Sequence, residues 1–254
     1  MYTLKLALIV IGSVLESIPI IALGLVDPYG KRVYPMFRLW SRCVLKIGGV
    51  GLRVRQVGRL DPGRAYVFMP NHQSNIDIPV LVRALAPFQL RWMAKRELLR
   101  VPFFGWALWA SKHIIIKRVL SKDMAAAMAN ACDKLARGIS VVVFPEGTRS
   151  PDGRLLPFKR GGFRLAEKAG VAIVPVTING SGELMRRGDW RLRCGEVEVV
   201  IGDAIPPGGA DDPPGRQMER VREAIGSYLT QPGTPSGAGA WEAEGLPPAS
   251  GREA

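Results

Sequence analysis

A histidine followed by an aspartate, His72 and Asp77, forms the most reactive pair of side chains in this sequence, within Asn-His-Gln-Ser-Asn-Ile-Asp at positions 71–77. An aspartate that accepts a hydrogen bond from one ring nitrogen fixes the imidazole tautomer, so the other nitrogen can take a proton from a hydroxyl group. Four residues separate the two, enough for a tight turn that returns the carboxylate to the ring. The pattern therefore predicts general-base chemistry, which typically accelerates a reaction about 10²–10⁴-fold.

The same stretch also permits a purely structural interpretation. Asn71, Ser74 or Asn75 can cap a helix, and Asp77 can interact with the positive end of the helix dipole. His72 would then be a hydrogen-bonded loop residue. The spacing alone leaves both interpretations open.

A second polar segment, Pro-Glu-Gly-Thr-Arg-Ser at positions 145–150, directly follows an apolar run. Gly147 lets the backbone approach an anion closely, Thr148 offers a hydroxyl, and Arg149 offers a planar fork that suits phosphate. These residue types predict an anion-binding loop. The alternative is a turn with a surface salt bridge.

Both polar segments follow predicted strands, which defines the elements that must position them. Strands are predicted where apolar residues run together or alternate, at Leu52–Val57, Tyr66–Met69, Ile114–Ile116, Ser140–Phe144, Val171–Ile178 and Val197–Ile201. Helices are predicted at Pro79–Ala86, along Met124, Met128, Ala131 and Leu135, and at Pro214–Leu229. This alternation predicts an α/β fold with a mixed, largely parallel sheet flanked by helices. Sites in such folds commonly lie where a strand ends in a loop at the start of a helix.

The amino-terminal residues predict a membrane-associated helical hairpin. Leu6–Val26 is apolar apart from Glu16 and Pro19, and its length is close to the roughly 20 residues of a spanning helix. Lys31–Ile47 mixes aromatic and aliphatic side chains with cations, as an interfacial helix does. Spanning and insertion into one leaflet both remain open, and a buried core helix or a signal peptide is the alternative. The expected organisation is anchoring helices at 1–48, the α/β domain at 49–230 and a disordered tail at 231–254.

Composition narrows the class of partner and of chemistry. The formal charge of +13 favours anionic partners such as phosphorylated substrates, nucleic acid or an acidic membrane face. Three scattered cysteines without a CxxC pair indicate neither a disulfide framework nor a zinc site, and favour a reducing compartment. The sequence contains no G-x-S-x-G elbow and no phosphate-binding P-loop. Nucleic acid is not expected, because the aromatic residues lie in apolar runs rather than among basic residues.

The two polar motifs together resemble the glycerolipid acyltransferase family, specifically the 1-acyl-sn-glycerol-3-phosphate (lysophosphatidic acid) acyltransferases. The resemblance covers roughly Arg53–Gly202. It extends to three further blocks, which are Met93–Leu98 with Pro102–Gly105, Phe158–Phe163, and Val174–Val176.

The resemblance implies transfer of an acyl group from acyl-CoA or acyl-carrier protein to the sn-2 hydroxyl of lysophosphatidate. His72 would be the base and Asp77 would orient it, without a covalent acyl-enzyme, a metal or a cofactor. Residues implied in acceptor binding are Glu146, Gly147, Thr148, Arg149, Arg118 and Lys95. Of these, Glu146 would orient Arg149 or the acceptor, and Lys95 would contact phosphate or the tetrahedral oxyanion, a solvated basic surface being its alternative. The expected location is the cytoplasmic face of the inner (plasma) membrane, in contact with membrane lipid.

One motif departs from the family pattern, which reads G-x-(I/V)-F-I-(D/N)-R. Residues 112–118 read Lys-His-Ile-Ile-Ile-Lys-Arg, so Lys112, Ile115 and Lys117 replace the usual residues while Arg118 is kept. Because the motif is associated with acceptor binding, a sibling enzyme with another lyso-lipid acceptor, such as a lyso-ornithine lipid, is the main alternative. A non-catalytic membrane phospholipid-binding protein is the other.

Overall fold

The computed structural model describes residues 2–116, 121–208 and 215–230, and within them the side chains of residues 121 and 122 are left aside. The helices are α1 (Tyr2–Val26), α2 (Tyr34–Gly48), α3 (Asp77–Ala84), α4 (Phe104–Ala110), α5 (Ser121–Ala136), α6 (Gly161–Ala169), α7 (Ser181–Leu184) and α8 (Arg216–Gly226), with a 3₁₀ turn at Arg96–Arg100. The strands are β1 (Val50–Gln56), β2 (Val67–Pro70), β3 (Leu90–Lys95), β4 (Ile114–Ile116), β5 (Ser140–Val142), β6 (Ile173–Asn179) and β7 (Gly195–Ile201).

These strands form one sheet in the order β1-β7-β6-β2-β5-β3-β4. Every neighbouring pair is parallel except β6 with β7. The prediction of a mixed, largely parallel sheet is therefore confirmed. The sheet places β2 at its centre, between β5 and β6, so the loop that follows β2 lies between the loops that follow two parallel neighbours.

Helices cover both faces of the sheet, because alternate residues of the central strands point to opposite sides. On one face Phe68, Val142 and Val176 belong to a buried cluster with α2 and α3. On the other face Val67 and Met69 pack in a cluster with α5, α6 and α8. Strands covered on both faces are almost continuously apolar, which explains why the sequence shows apolar runs rather than alternation at β2, β5 and β6.

The two amino-terminal helices form an antiparallel pair that packs on the α/β domain. Trp40 Nε1 of α2 donates a hydrogen bond of 2.9 Å to Ser13 Oγ of α1, and α2 contacts α3. Among the described residues, α1 is the one helix long and apolar enough to cross a membrane, and 11% of its most apolar stretch is buried. Such low burial differs from that of a core helix. The turn between the helices is closed by Asp27, whose Oδ2 accepts the backbone N–H groups of Arg32 and Val33.

Several elements differ from the sequence-based expectation. Strand β3 was not predicted, because Arg91 interrupts its apolar run, yet this arginine is 1% exposed. Its guanidinium donates to the carbonyl oxygens of Tyr29, at 2.7 Å, and of Leu90, at 2.8 Å. Helices α4 and α6 were also not predicted, and β5 ends at Val142 rather than at Phe144. The predicted tail at 231–254 lies outside the described residues.

Candidate active site

The His72 side chain and the Asp77 carboxylate are in contact at the carboxyl end of β2. The distance from His72 Nδ1 to Asp77 Oδ2 is 2.7 Å, and Asp77 is fully buried. The same oxygen accepts the backbone N–H groups of Gln73, at 2.8 Å, and Ser74, at 2.9 Å. Because Asp77 Oδ2 accepts these two N–H groups, it is also the acceptor in its contact with the ring, so His72 Nδ1 carries the hydrogen. Nε2 of the neutral ring is therefore left with the lone pair that a general base needs.

Two side-chain clamps fix the loop that carries His72. Asn71 is bonded to both main-chain groups of Ile178 in β6, donating from Nδ2 at 2.9 Å and accepting at Oδ1 at 2.7 Å. Ser74 Oγ donates to the carbonyl oxygen of Met185 at 2.7 Å. Both clamps are buried. The loop is thereby tied to the neighbouring strand, and the imidazole is held in one position relative to the sheet.

A stacked aromatic ring supports the imidazole. The centroids of the His72 and Phe144 rings are 3.7 Å apart with an interplanar angle of 16°. Phe144 is available for this contact because β5 ends at Val142. Sequence reasoning missed the role of Phe144, since its position at the end of an apolar run is typical of a core strand residue.

Glu146 joins the two motifs. Its Oε1 accepts the backbone N–H of His72 at 2.8 Å, and its Oε2 accepts the backbone N–H of Leu156 at 2.9 Å. The Ser150 N–H, in turn, donates to the His72 carbonyl oxygen at 2.8 Å. Burial raises the pKa of the Glu146 carboxyl, against the opposing effect of the two N–H donors. The contacts of Glu146 thus brace the backbone of the histidine, which differs from the expected orientation of Arg149 or the acceptor.

The glycine of the second motif is required by its conformation and by a neighbouring lysine. Gly147 has a φ of +68°, a region that L side chains rarely adopt. A Cβ at this position would lie 2.7 Å from Nζ of Lys159 and 3.0 Å from its Cδ and Cε. The lysine therefore lies across the loop, and its backbone N–H donates to the Pro145 carbonyl oxygen at 2.8 Å. Sequence reasoning included Lys159 only as part of a family block.

Cations gather around the exposed part of the same loop. Thr148 is exposed and Arg149 is half-buried, and the Arg149 carbonyl oxygen accepts a hydrogen bond from Arg187 Nη1 at 3.3 Å. Within residues 2–116, 121–208 and 215–230, no Asp or Glu forms an ion pair with the Arg149, Arg187 or Lys159 side chain. Arginine and lysine side chains without a carboxylate partner are suited to an anionic ligand.

The remaining predicted acceptor-binding residues lie farther along the sheet. Lys95 is exposed at the carboxyl end of β3, which is separated from β2 by β5. At a strand spacing of roughly 5 Å, the lysine backbone lies about 10 Å from the His72 strand on the same edge of the sheet. Arg118 lies outside the described residues, as does Lys117. The structure thus joins His72, Asp77, Glu146 and the Gly147–Arg149 loop directly, while Lys95 shares only their edge.

The backbone conformation at residue 112 explains why the family pattern has a glycine at this position. Lys112 has a φ of +57°, so this position holds the left-handed conformation that glycine adopts without strain. The other histidine of the chain, His113, is buried and its Nδ1 accepts the Trp92 N–H at 3.2 Å. Burial lowers its pKa well below the usual value, so the ring is neutral and serves as packing between β3 and β4. Among the described residues, no group of three or more His, Cys, Asp or Glu side chains could hold a metal ion.

Comparison with known proteins agrees with this geometry. The family model described as Acyltransferase matches residues 51–179. The 1-acyl-sn-glycerol-3-phosphate acyltransferase alpha of Homo sapiens is 32% identical over 223 residues, covering 80% of this chain and 78% of the human protein. The chain therefore belongs to the acyltransferase family, which confirms the resemblance drawn from the two motifs.

Relatives named 1-acyl-sn-glycerol-3-phosphate acyltransferase also occur in an alga and a bacterium. The protein of Chlamydomonas reinhardtii is 37% identical over 169 residues, covering 66% of this chain and 49% of its own length. The protein of Pseudomonas aeruginosa is 37% identical over 170 residues, covering 66% of this chain and 64% of its own length. The chain thus spans about half the length of the algal relative and most of the human one.

The fold has a solved counterpart. The crystal structure of the 1-acyl-sn-glycerophosphate acyltransferase of Thermotoga maritima superposes with a TM-score of 0.76 at 25% sequence identity. The match covers 90% of this chain and 93% of the other.

Proposed function

We propose that this protein transfers a fatty acyl group from a thioester to the sn-2 hydroxyl of lysophosphatidic acid, which forms phosphatidic acid. The observation that carries the proposal is the buried contact between Asp77 and His72, placed against a cationic loop through Glu146 and Phe144. The partly exposed His72 ring keeps Nε2 free of the Asp77 contact, which a general base requires. A base next to an anion-binding loop fits an acceptor that carries both a hydroxyl and a phosphate.

The chemistry follows from the position of the ring nitrogens. Nε2 of His72 takes the proton of the acceptor hydroxyl while the oxygen attacks the thioester carbonyl carbon, which gives a tetrahedral intermediate. The buried Asp77 carboxylate stabilises the imidazolium that results. Collapse of the intermediate breaks the carbon–sulfur bond, and the imidazolium returns its proton to the departing thiolate. The ester and the free thiol are the products, and no acyl-enzyme forms.

Acceptor binding is assigned to the loop at Gly147, Thr148 and Arg149. The Arg149 guanidinium can bind phosphate with two parallel hydrogen bonds, and Gly147 lets the backbone approach closely. Lys95, at the carboxyl end of β3, and Arg118 are proposed to add positive charge to acceptor binding. The thioester donor is proposed to be acyl-CoA or acyl-carrier protein, both of which are soluble.

The membrane supplies the other substrate. We place the exposed α1 and the cationic α2 in contact with the bilayer at the cytoplasmic face of the inner (plasma) membrane. Helix α1 has the length and composition for this and is mostly exposed. The surplus of 35 Lys and Arg over 22 Asp and Glu favours an anionic lipid surface. Lysophosphatidic acid resides in the bilayer, so attachment brings the active site to its acceptor.

One assay tests the proposal. Purified protein is incubated with a radiolabelled acyl donor, either acyl-CoA or acylated carrier protein. The acceptors are lysophosphatidate, lyso-ornithine lipid and monoacylglycerol, the last of which lacks only the phosphate of lysophosphatidate. We expect the label in phosphatidic acid, and its loss in His72→Ala with the fold retained by circular dichroism. Transfer to monoacylglycerol at the same rate, or wild-type turnover by His72→Ala, would disprove the acceptor or the base, respectively.

A further inference from the structure

The surface of α4 and of the turn before it is apolar and exposed. We call the following set the α4 surface: Leu98, Val101, Phe103, Phe104, Trp106 and Trp109. Trp106 and Trp109, three positions apart and therefore on one side of the helix, are 52% and 53% exposed. Within the helix, Gly105 and Ala110 are buried, Gly105 against the turn before the helix and Ala110 against α1. Large aromatic side chains presented together in this way mark an interaction site rather than a stray apolar residue.

The α4 surface continues the exposed apolar side of α1. A Cβ on Gly24 of α1 would lie 2.7 Å from Cβ of Ala110, so the two helix backbones are in close contact. Beside this contact, Ile18, Leu25 and Val26 of α1 are all more than half exposed. A bilayer that covers α1 therefore also reaches the helix packed against it.

Residues with a strained backbone conformation lie at both ends of α4. Phe103 and Lys112, which flank the helix, are the non-glycine residues with positive φ in the described ranges, at +61° and +57°. Strain of this kind marks functional positions when the surrounding structure maintains it. Lys112 replaces a glycine of the family pattern and places its ammonium 4.8 Å from the centroid of the Trp109 ring. A cation beside an exposed indole is the combination found at the headgroup level of a membrane.

One end of the α4 surface adjoins the proposed active site. The 3₁₀ turn begins at Arg96, directly after Lys95 at the carboxyl end of β3, and that edge of the sheet also carries His72. The turn itself holds Arg96 and Arg100, both exposed. Apolar side chains with flanking cations thus extend from the proposed catalytic edge along α4 to Lys112.

We propose that the α4 surface is a second membrane contact, which inserts its aromatic side chains among lipid headgroups and holds the carboxyl edge of the sheet against an anionic bilayer. The occupant is a lipid surface for two reasons. The α4 surface adjoins α1, and the charged residues around it are three cations, Arg96, Arg100 and Lys112, and one carboxylate, Glu97. The inference rests on the proposed function in one respect, that the acceptor is a membrane lipid.

Quenching of tryptophan fluorescence by brominated lipid tests the contact directly. The full chain is bound to phosphatidylcholine vesicles that contain phosphatidylglycerol, with and without bromine on the acyl chains. We expect strong quenching in the wild type and a clear decrease in Trp106→Phe/Trp109→Phe, in which the quenching that persists belongs to other tryptophans such as Trp40 of α2. Equal quenching in the two proteins, or none in the wild type, would overturn the proposal.

Partitioning measures the contribution of the surface to binding. In vesicle flotation, Trp106→Ser/Trp109→Ser should lower the partition coefficient about tenfold. The matched control is Val54→Ser/Val57→Ser, which removes exposed apolar side chains at β1 and its end, away from the proposed contact. Lys112→Gly should relieve strain and still weaken binding to anionic vesicles about fivefold, with no change on phosphatidylcholine alone.

The combined results distinguish a lipid contact from a contact between two copies of the chain, and from a failure of the proposed function. If the tryptophan variant dissociates a dimer in detergent and leaves flotation unchanged, the surface joins two copies of the chain and the membrane contact is wrong. If the protein acylates no lyso-lipid but Trp106 and Trp109 are quenched, the proposed function fails while the contact holds. If acyl transfer to detergent-dispersed acceptor is normal but the two tryptophans are not quenched, only the contact fails.

Discussion

Replacement of Asp77 by asparagine distinguishes the catalytic from the structural interpretation of the His72–Asp77 contact. One carboxylate oxygen, Oδ2, accepts the hydrogen bonds from His72 Nδ1 and from the backbone N–H groups of Gln73 and Ser74. An asparagine oxygen placed at that point can accept the same three bonds. Asp77→Asn therefore removes the negative charge while the loop geometry is kept.

The expected loss in rate follows from the charge that is removed. The imidazolium formed during transfer and the Asp77 carboxylate have centres of charge about 4 Å apart, where an effective dielectric constant of about 20 gives an attraction of about 4 kcal/mol. Removing that attraction from the transition state lowers kcat about 10³-fold. The acceptor KM should change little, because the phosphate is bound by the other loop.

The effect on the free energy of unfolding should be smaller than the effect on the activation free energy. In the described structure the Asp77 Oδ1 atom is buried and has no hydrogen-bond partner. The asparagine NH₂ group would take its place, which costs about 1–3 kcal/mol for a buried unpaired donor. Asp77→Ala is the contrast, since it leaves the Gln73 and Ser74 N–H groups without an acceptor and should destabilise the fold by more.

The assay measures kcat and KM for acyl transfer, together with the free energy of unfolding in urea. A variant Asp77→Asn with wild-type kcat and reduced stability would show that the carboxylate only stabilises the loop and the start of α3. The structural interpretation of the motif would then be correct and the assignment of His72 as a supported base would be wrong.

Three other substitutions give distinct results. Arg149→Ala should raise the KM for lysophosphatidate at least about tenfold, as expected for a lost charged hydrogen bond, with the thioester KM unchanged; a change confined to the thioester KM would contradict the phosphate assignment. Burial raises the pKa of Glu146 above its ordinary 4.5, so the stability that this group contributes is present below that value and is lost as pH rises through the raised pKa. The free energy of unfolding of the wild type should therefore fall relative to that of Glu146→Gln as pH increases from about 4, and a constant difference would refute this. Gly147→Ala introduces a strained φ and a contact with Lys159, so kcat/KM should fall while the melting temperature changes by only a few degrees; Gly138→Ala, with positive φ and open space around its Cβ position, is the matched control.

The sequence was informative where a local pattern reflects a local cause. Apolar runs at β2 and β6 predicted buried strands, because a strand covered on both faces has apolar residues at successive positions rather than at alternate ones. The residue types and spacing of the two polar motifs after β2 and β5 supported a family resemblance, which is confirmed. The predicted contact between His72 and Asp77 likewise depends only on a short turn between them.

The sequence failed where a distant partner changes what a residue can do. Arg91 is charged, so β3 was not predicted, yet the Tyr29 carbonyl oxygen of the helical turn makes its burial possible. Glu146 was expected to orient Arg149 or the acceptor, and its bonds to the Leu156 and His72 N–H groups were not foreseen. No pattern along the chain shows which N–H groups will face a carboxylate after the loops have packed.

The amino-acid sequence by itself thus determined the α/β class and predicted the contact between His72 and Asp77, because each depends on neighbours within a few residues. Only the tertiary structure decided that Phe144 stacks on His72 and that Lys159 lies across Gly147. It also placed α4 against α1, where Gly24 meets Ala110. The physical reason is that local preference does not fix these contacts, which form only when neighbouring strands pair, loops fold over one another and helices pack.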